Sequence, residues 1–258
     1  MTRRDRAPMG APCWTDLWTS DVEGCRRFYA ELFGWEAGEA APELGGYFMF
    51  TREGVPVAGA MGSRDDTPAA NRWSVYLATE DIASTLEAAV AQGAQVVSGA
   101  MPVADIGIQG AIVDPTGAHV GMWQPGTFPG FTVLEEAGTP SWFELLTRDH
   151  ATAVSFYTSV FRCSSKTAAD SDDFRYTMLT DHGGGAEVAG IMDAQRFLPA
   201  DVPSNWSVYW QVDDVDATVA VARSSGGSVV MEPESTPYGR LATVADPAGA
   251  VFKLRATG

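Results

Sequence analysis

The chain has 258 residues, of which 45% are hydrophobic and 19% charged, values typical of a globular protein with room for two domains. Asp and Glu outnumber Lys and Arg by 33 to 17, and a net charge of −16 argues against a nucleic acid partner, because phosphate backbones need clustered basic residues. No apolar run reaches the roughly 20 residues of a membrane span, and the basic start lacks the apolar segment of a secretory signal. The sequence therefore predicts a cytoplasmic protein without a membrane partner.

The first predicted elements are a strand, a helix and a hairpin. Residues 13–19 alternate with period two, as a half-buried strand does. A helix-start pattern at 20–23 is followed by apolar residues at helical spacing as far as Gly34. Segments on either side of Gly54 predict a hairpin, and the polar segment 64–68 predicts a loop.

The same order of elements then returns. Residues 73–79 predict a strand and 81–92 a helix. Three further strands are expected near 95–98, 108–113 and 119–124. The last two are joined by an Asp-Pro-Thr-Gly turn at 114–117. The first half of the chain is thus two βαβββ units, and the Gly- and Pro-rich segment that follows it predicts a linker.

The sequence also repeats itself at nearly 130 residues. Three segments recur: 13–17 as 141–145, 73–76 as 206–209, and 114–118 as 246–250. A repeat of this length is too long for a solenoid unit and indicates duplication of a whole module. We therefore expect module 1 at residues 1–124, a linker at 125–140 and module 2 at 141–258.

A first strand, a helix ending in Phe-Tyr…Leu-Phe-Gly and a terminal Asp-Pro-x-Gly turn together resemble the vicinal oxygen chelate superfamily. That group includes glyoxalases, bleomycin-resistance proteins and extradiol dioxygenases, and this sequence resembles its duplicated actinobacterial members over nearly the whole chain. The resemblance implies an α+β fold of two tandem glyoxalase-like modules. In each, paired βαβββ units form a curled mixed sheet around a cleft that takes a small molecule.

The superfamily's usual mechanism holds a divalent metal at particular strand positions, and the resemblance places those positions on residues without suitable donors. They are Trp14, Ser74 and Gly121 in module 1, and Trp142, Ser207 and Lys253 in module 2. An ammonium at Lys253 repels a metal. The expectation is therefore no metal site and no cofactor, with a metal on relocated ligands as an alternative.

Histidine offers little towards such a relocated site. The chain has three, His119, His150 and His182, and two of them fall at a helix start and in a glycine-rich turn. His119 lies on the last strand of module 1 with the parity of the cleft-facing residues. A lone histidine there is more typical of a hydrogen-bonded pocket residue than of a metal ligand.

Strand alternation predicts which other side chains face the clefts. The set is largely aromatic with a few polar groups, as in pockets for small, partly apolar molecules. In module 1 it comprises Trp14, Asp16, Trp18, Ser74, Tyr76, His119 and Trp123, and in module 2 Trp142, Glu144, Leu146, Ser207, Tyr209, Gln211, Lys253 and Arg255. The structural alternative is that the aromatic residues fill the cleft as core.

Two carboxylates among these aromatic residues need partners, because an unpaired buried charge is costly. Glu144 has basic neighbours in module 2, which predicts a structural ion pair with Lys253 or Arg255. Asp16 has no basic counterpart, which makes His119 its expected partner. An Asp-His pair in an open cleft is a recognisable acid/base arrangement, and module 1 is therefore the expected functional half.

Three hypotheses follow for the function. The first is a binding or resistance protein that holds a small aromatic or amphipathic metabolite, with an antibiotic among the candidates, in a metal-free cleft. The second is a metal-independent isomerase, lyase or hydroxylase-like enzyme that uses Asp16 and His119 as acid and base. The third is a metalloenzyme with relocated ligands. The expected partner is a small molecule, and the chain is expected to be a monomer or a homodimer.

Overall fold

The computed structural model describes residues 2–63 and 71–257, and the polar segment 64–68, predicted as a loop, lies outside them. In the first half of the chain the elements are β1 (Thr2–Arg3), β2 (Pro12–Thr19), α1 (Val22–Phe33), β3 (Glu36–Ala37), a 3₁₀ turn (Pro42–Leu44), β4 (Phe48–Arg52), β5 (Val55–Gly62), β6 (Arg72–Ala78), α2 (Ile82–Ala91), β7 (Gln95–Val103), β8 (Gly107–Val113) and β9 (His119–Pro125).

The second half repeats this order. Its elements are β10 (Val133–Leu134), β11 (Pro140–Thr147), α3 (His150–Val160), β12 (Ser164–Asp170), β13 (Arg175–Thr180), β14 (Glu187–Asp193), β15 (Asn205–Gln211), α4 (Val215–Ser224), β16 (Ser228–Thr236), β17 (Gly239–Ala245) and β18 (Val251–Ala256). The longest helix in the described part of the chain has 12 residues, and no helix there is long and apolar enough to cross a membrane.

Each half of the described chain forms its own eight-stranded mixed sheet, and neither sheet closes. The strand order is β3-β4-β5-β2-β6-β9-β8-β7 in the first and β12-β13-β14-β11-β15-β18-β17-β16 in the second. Within each sheet the two βαβββ units meet where their first strands pair antiparallel, β2 with β6 and β11 with β15. This confirms the predicted α+β fold of two tandem modules built from paired units.

Aspartate residues set the starts of all four helices of the described residues. Asp21 Oδ1 accepts a hydrogen bond from the Gly24 amide at 2.8 Å, and Asp81, Asp149 and Asp214 cap α2, α3 and α4 in the same way. Such a cap satisfies an amide that has no partner within the helix. At the other end of α1, Gly34 takes the left-handed conformation, with φ of 68°, and ends the helix as the sequence predicts.

The two modules share an aromatic core on the helix-bearing faces of their sheets. Trp210 of module 2 is fully buried. Its ring centroid lies 4.8 Å from that of Trp35 and 5.3 Å from that of Trp73, both in module 1. Phe252 of module 2 similarly contacts Tyr29 at 5.7 Å. Since large buried rings dominate core energetics, this aromatic core joins the modules into one packed unit.

The helix with the Phe-Tyr motif in each module contacts the Asp-Pro turn of the other module. Tyr29 of α1 donates its hydroxyl to Asp246 Oδ2 at 3.1 Å, and Asp246 opens the Asp-Pro turn of module 2. Reciprocally, Tyr157 of α3 donates to Asp114 Oδ2 at 2.7 Å, in the Asp-Pro turn of module 1. We call these two hydrogen bonds the reciprocal clasps. They relate the modules by an approximate two-fold axis, as in a symmetric dimer.

Candidate functional site

The face of each sheet opposite the helices carries a cluster of aromatic and acidic side chains, which we call cup 1 in module 1 and cup 2 in module 2. In cup 1, Asp16 Oδ1 accepts hydrogen bonds from Trp14 Nε1 and from the Tyr47 hydroxyl, both at 3.0 Å. Trp14 Nε1 also lies 3.0 Å from the Tyr47 oxygen, which closes a triangle. Asp16 is 9% exposed and Trp14 is 5% exposed, so the polar atoms of this triangle are satisfied largely by one another.

Glycine residues on the neighbouring strands make room for this cluster. Gly59 lies opposite Asp16 in the pairing of β5 with β2, and a methyl group at Gly59 would overlap the Tyr47 hydroxyl and Asp16 Oδ1. On the other side Gly121 lies opposite Tyr76 in the pairing of β9 with β6, and a methyl group there would overlap the Tyr76 ring. Both positions therefore need glycine because a side chain fills the space.

Burial raises the pKa of Asp16 to about 6. Hydrogen bonds from Tyr76, Tyr47 and Trp14 act in the opposite direction because they favour the charged carboxylate, but they offset only part of the desolvation cost. Burial and the neighbouring Asp16 charge in turn raise the pKa of both tyrosines well above the usual value. The tyrosines therefore stay protonated as donors, while Asp16 titrates close to neutral pH.

Partly exposed side chains border the buried cluster and provide a contact surface. Ser74 lies opposite Asp16, and Trp18 lies opposite Met61 on β5. Trp18, Met61 and Ser74 are each partly exposed, as is Met49 on β4. Flat and flexible apolar groups beside a hydroxyl and a carboxyl suit a small, partly apolar molecule.

The linker covers part of cup 1. Phe128 packs edge-on against Trp14, with ring centroids 4.8 Å apart, and its carbonyl accepts a hydrogen bond from Trp123 Nε1 at 3.0 Å. Phe131 contacts Trp14 from another direction, at 5.0 Å. Trp14 and Trp123 are accordingly buried. Trp14 and Trp123 therefore pack as core residues. The partly exposed surface of cup 1 is formed by other residues of its face, such as Trp18, Met61 and Ser74.

His119 does not join the Asp16 cluster in hydrogen bonding. Its side chain is exposed at the start of β9, and Asp16 instead accepts hydrogen bonds from Trp14 and Tyr47. Partial desolvation of the ring and the nearby Arg72 lower the pKa of His119, while Asp114 opposes this shift. The expected Asp16–His119 pair is thus replaced by pairing of Asp16 with Tyr47, whose hydroxyl donates to the carboxylate without bringing a positive charge.

Cup 2 repeats the cluster but adds a cation. Trp142 Nε1 donates to the Tyr176 hydroxyl at 2.9 Å. Glu144, at the position equivalent to Asp16, accepts from the Tyr209 hydroxyl at 2.9 Å and from Lys253 Nζ at 2.5 Å. The expected ion pair between Glu144 and Lys253 is therefore present, with side chains only 6% and 13% exposed. The carboxylate of cup 2 is neutralised, whereas that of cup 1 is not.

The remaining predicted cleft residues of module 2 also lie on the face of cup 2. Ser207 is opposite Glu144 and is buried. Gln211 is opposite Arg255 in the pairing of β15 with β18, while Leu146 is partly exposed near the end of β11. Trp142 is more exposed than its buried counterpart Trp14. Cup 2 is therefore the more open of the two at this tryptophan position.

The residues at the positions expected to hold a metal do not fit a divalent cation. In cup 1 the Tyr76 ring fills the space beside Gly121, and Trp14 Nε1 is a donor that already binds Asp16. In cup 2 the Lys253 ammonium occupies the side of Glu144 on which a cation would bind. Across residues 2–63 and 71–257, no three His, Cys, Asp or Glu side chains are close enough together to hold a metal ion.

Sequence reasoning missed several members of these clusters, although the repeat contained a signal for them. Tyr47 and Tyr176 lie 129 positions apart and Gly59 and Gly190 lie 131 apart, between the offsets of the segments that define the duplication. Aligning the halves residue by residue identifies both pairs. Phe128 lies in the linker and has no counterpart in such an alignment, so the repeat does not reveal its contact with cup 1.

The comparisons with known proteins agree over the whole chain. Residues 139–254 match the family described as "Glyoxalase/Bleomycin resistance protein/Dioxygenase superfamily", and residues 14–121 match "Glyoxalase-like domain". CFP32 of Mycobacterium tuberculosis, provisionally named a glyoxylase, is 37% identical over 261 residues, covering 98% of this chain and 97% of that protein. The anthracycline biosynthesis protein DnrV of Streptomyces peucetius is 34% identical over 259 residues, covering 95% and 92%.

Solved structures show the same fold at low sequence identity. The Mn(II)-bound glyoxalase from Novosphingobium aromaticivorans superposes with a TM-score of 0.65 at 19% identity, covering 96% of this chain and 82% of that one. The 2,3-dioxygenase LapB from Pseudomonas sp. KL28 gives a TM-score of 0.66 at 13% identity, covering 98% and 93%. At these identities the likeness concerns the fold alone, because one fold hosts many chemistries.

Proposed function

Because the chain belongs to the glyoxalase/bleomycin resistance protein/dioxygenase superfamily, we propose that it binds a small aromatic or amphipathic metabolite in cup 1 without a divalent metal. The observation that carries this proposal is the buried triangle of Trp14, Asp16 and Tyr47. It places a carboxyl group of adjustable charge within an aromatic surface, beside the partly exposed Trp18 and Ser74. Rings supply contact area in such a pocket, and isolated polar groups fix the orientation of the ligand.

The class of ligand is a planar molecule with hydroxyl groups. A carboxylate such as Asp16 accepts hydrogen bonds from a ligand hydroxyl, and Trp18 and the methionines beside it provide a flat apolar contact. The relative DnrV carries the name of an anthracycline biosynthesis protein, which supports a fused-ring aromatic ligand. The positions expected to hold a metal carry an indole, a hydroxyl, an ammonium group or, at Gly121, no side chain. None of these groups is a usual metal ligand, which supports binding without a metal.

The test is a binding titration with neutral hydroxyanthraquinones, followed by quenching of tryptophan fluorescence. Trp18→Ala removes a partly exposed ring, and we expect it to weaken binding about tenfold or more, as loss of a central aromatic contact commonly does. The matched control is Leu146→Ala, the equivalent position in cup 2, which should leave the affinity unchanged. Equal effects of the two substitutions, or no binding by the wild type, would contradict the assignment to cup 1.

The metal-free part of the proposal has a separate test. Elemental analysis of protein purified without chelators should find no stoichiometric divalent metal, and hydroxyanthraquinone affinity should be the same before and after dialysis against a chelator. A metal bound at one equivalent per chain, or a loss of affinity on chelation, contradicts it.

The titration of Asp16 favours a second candidate, a metal-independent enzyme of the isomerase, lyase or hydroxylase-like type. A carboxyl group whose pKa is raised to about 6 by burial takes up and releases a proton near neutral pH. Tyr76 and Tyr47 stay protonated beside it and can donate hydrogen bonds to negative charge that develops on a substrate. Asp16 is the acid and base in this candidate.

Product analysis after prolonged incubation separates the candidates. If the ligand is converted, Asp16→Asn should abolish conversion while the affinity changes little, since the amide keeps the shape of the side chain but does not titrate. His119→Gln tests the partner that the sequence predicts: because His119 is exposed at the start of β9, we expect the turnover to be retained. Conversion that survives Asp16→Asn contradicts this second candidate.

A further inference from the structure

On its last inner strand, β18, cup 2 has two positive charges whose equivalent positions on β9 of cup 1 are uncharged. In the pairing of β18 with β15, Lys253 lies opposite Tyr209 and Arg255 opposite Gln211. The corresponding positions of β9 hold Gly121 and Trp123. Glu144 already neutralises Lys253 at 2.5 Å. Arg255 is therefore a second cation, two residues farther along the same strand and on the same face.

The guanidinium of Arg255 is available to a ligand. Its Nε donates to the Tyr238 carbonyl at 3.1 Å. Within residues 2–63 and 71–257 its terminal Nη atoms make no hydrogen bond or ion pair, and the side chain is partly exposed. A guanidinium presents its donors in a planar fork that matches the two oxygens of a carboxylate.

Lys253 can add one more donor at the same place. An ammonium group has three hydrogens, and two of them are used, by Glu144 Oε2 and by the Tyr209 hydroxyl at 3.0 Å. The side chain is 13% exposed, so it is not sealed from the cup. Arg255 and Lys253 together thus present a small basic site in a protein whose net charge is −16.

An aromatic surface lies at a matching distance from this basic site. Trp142 is partly exposed, and its ring is held in place by the hydrogen bond from Nε1 to the Tyr176 hydroxyl. Trp142 lies opposite Tyr209, which in turn lies opposite Lys253. Neighbouring strands are about 4.8 Å apart, so the backbones at Trp142 and Lys253 are about 10 Å apart. This separation is about the length of two or three fused rings.

We propose that cup 2 is a second ligand site, which binds a planar aromatic carboxylate with its rings on Trp142 and its carboxylate on Arg255 and Lys253. This goes beyond the function proposed for cup 1, because the ligand class and the residues differ. In cup 1 the uncompensated Asp16 disfavours an anionic ligand, whereas in cup 2 the carboxylate is already paired. The chain therefore offers two aromatic sites that differ in the charge they accept.

The experiment compares two probes of the same shape, anthraquinone-2-carboxylate and the neutral anthraquinone-2-carboxamide, by isothermal titration calorimetry on the full chain. We expect the wild type to bind the carboxylate at least about tenfold more tightly than the carboxamide, in line with a charge-assisted bidentate contact. Arg255→Gln should remove this preference. Arg223→Gln removes the same charge from an exposed position on α4 and should retain it.

Two further measurements keep the outcome specific to cup 2. Thermal unfolding checks that Arg255→Gln is folded, which its partly exposed position leads us to expect. Asp16→Asn should leave the affinity for the carboxylate unchanged, and a gain or loss there would place this ligand in cup 1 and overturn the proposal. Equal affinities of the wild type for the two probes, an absence of binding, or a preference that persists in Arg255→Gln would also overturn it.

Discussion

Asp16 and Glu144 occupy equivalent positions of the two modules, yet their surroundings give them different chemistry. Asp16 accepts hydrogen bonds from Trp14 and Tyr47, and Glu144 accepts one from Tyr209. Only Glu144 has a cation, Lys253, within an ion pair. Burial without a cation raises the pKa of Asp16. A single exchange, Gly121 in one module for Lys253 in the other, thus separates a carboxyl group without an ion-pair partner from one that has such a partner.

The raised pKa of Asp16 predicts a specific dependence of stability on pH. Its ordinary value is 3.8 and its value in the fold is about 6, so between these the folded state binds more protons than the unfolded state. The free energy of unfolding therefore falls as pH rises from about 4 to about 6, by about 3 kcal/mol in total, and this contribution is constant above that range. Urea unfolding of the wild type and Asp16→Asn over this range measures it.

The comparison with Asp16→Asn isolates the effect, because every other titrating group, including the buried Asp246, is common to the two proteins. As pH rises from about 4 to about 6, the free energy of unfolding of the wild type should fall relative to that of Asp16→Asn. Parallel pH profiles would show that Asp16 titrates at its ordinary value.

Gly59 predicts a steric effect at the same cluster. In Gly59→Ala the new methyl group overlaps the Tyr47 hydroxyl and Asp16 Oδ1, so we expect a loss of about 1–3 kcal/mol in the free energy of unfolding together with weaker ligand binding. Gly99→Ala on the edge strand β7 is the control, since a methyl group there has no atom within 4 Å and should change stability by about 0.5 kcal/mol or less. Chemical denaturation of both variants gives the answer, and equal stabilities would be inconsistent with the packing.

At the scale of elements, the helices do more than cover the sheets. Each reciprocal clasp takes its tyrosine from a helix of one module and its aspartate from a turn of the other. The other oxygen of each aspartate holds its own turn, as Asp114 Oδ1 does by accepting from the Ala118 amide at 2.9 Å. The Asp-Pro turn therefore serves two purposes: it closes a hairpin and it anchors the neighbouring module.

The clasps differ in one respect that predicts unequal effects of substitution. Tyr157 also accepts a hydrogen bond from Trp206 Nε1 at 2.9 Å, whereas Trp73 Nε1 lies near the Tyr29 hydroxyl but outside full hydrogen-bond geometry in the described part of the chain. Tyr157→Phe leaves both Asp114 Oδ2 and Trp206 Nε1 without their partner. Since an unsatisfied buried group costs about 1–3 kcal/mol, we expect Tyr157→Phe to lose more stability than Tyr29→Phe.

Equilibrium unfolding of the two variants measures this difference, and Phe is the proper replacement because it keeps the ring packing. A larger loss from Tyr29→Phe, or no loss from either, would contradict the role given to the clasps.

The sequence predicted elements better than it predicted partners. Helix α1 could be placed from its apolar spacing and Gly34, because both signals are local. The two-residue strands β1 and β10 were missed, since two residues show no periodicity and their pairing is between distant parts of the chain. Alternation also placed Asp16 and Glu144 on the correct face. Alternation within the predicted strands did not identify the partner of Asp16, because Tyr47 precedes β4; that residue is found only by aligning the two halves of the chain, which pairs Tyr47 with Tyr176.

At the scale of the whole molecule, the two modules form one packed body. The shared aromatic core brings Trp210 of one module against Trp35 and Trp73 of the other, and Trp35 Nε1 donates to the Gly138 carbonyl at 2.8 Å, which ties the linker to the same core. The face of each sheet opposite the helices is left for the cups. The interface therefore fixes the two cups relative to each other.

This shared core predicts one cooperative unfolding transition rather than two. Trp210→Ala removes a fully buried ring and should cost about 3–5 kcal/mol, with both modules destabilised together. Differential scanning calorimetry tests this by comparing the calorimetric and van't Hoff enthalpies, which should agree for the wild type. Two resolved transitions, or a loss confined to one module in hydrogen exchange, would show that the modules unfold independently.

The approximate symmetry of the reciprocal clasps has a consequence for how the two cups could diverge. The contact from tyrosine to aspartate and back is what two identical copies make across a two-fold axis. In such a homodimer every mutation appears in both copies, so a lysine at the position of Gly121 would be forced on both cups. Joining the copies in one polypeptide removes that constraint. One cup can then acquire a lysine, as at Lys253, while the other keeps a glycine, as at Gly121.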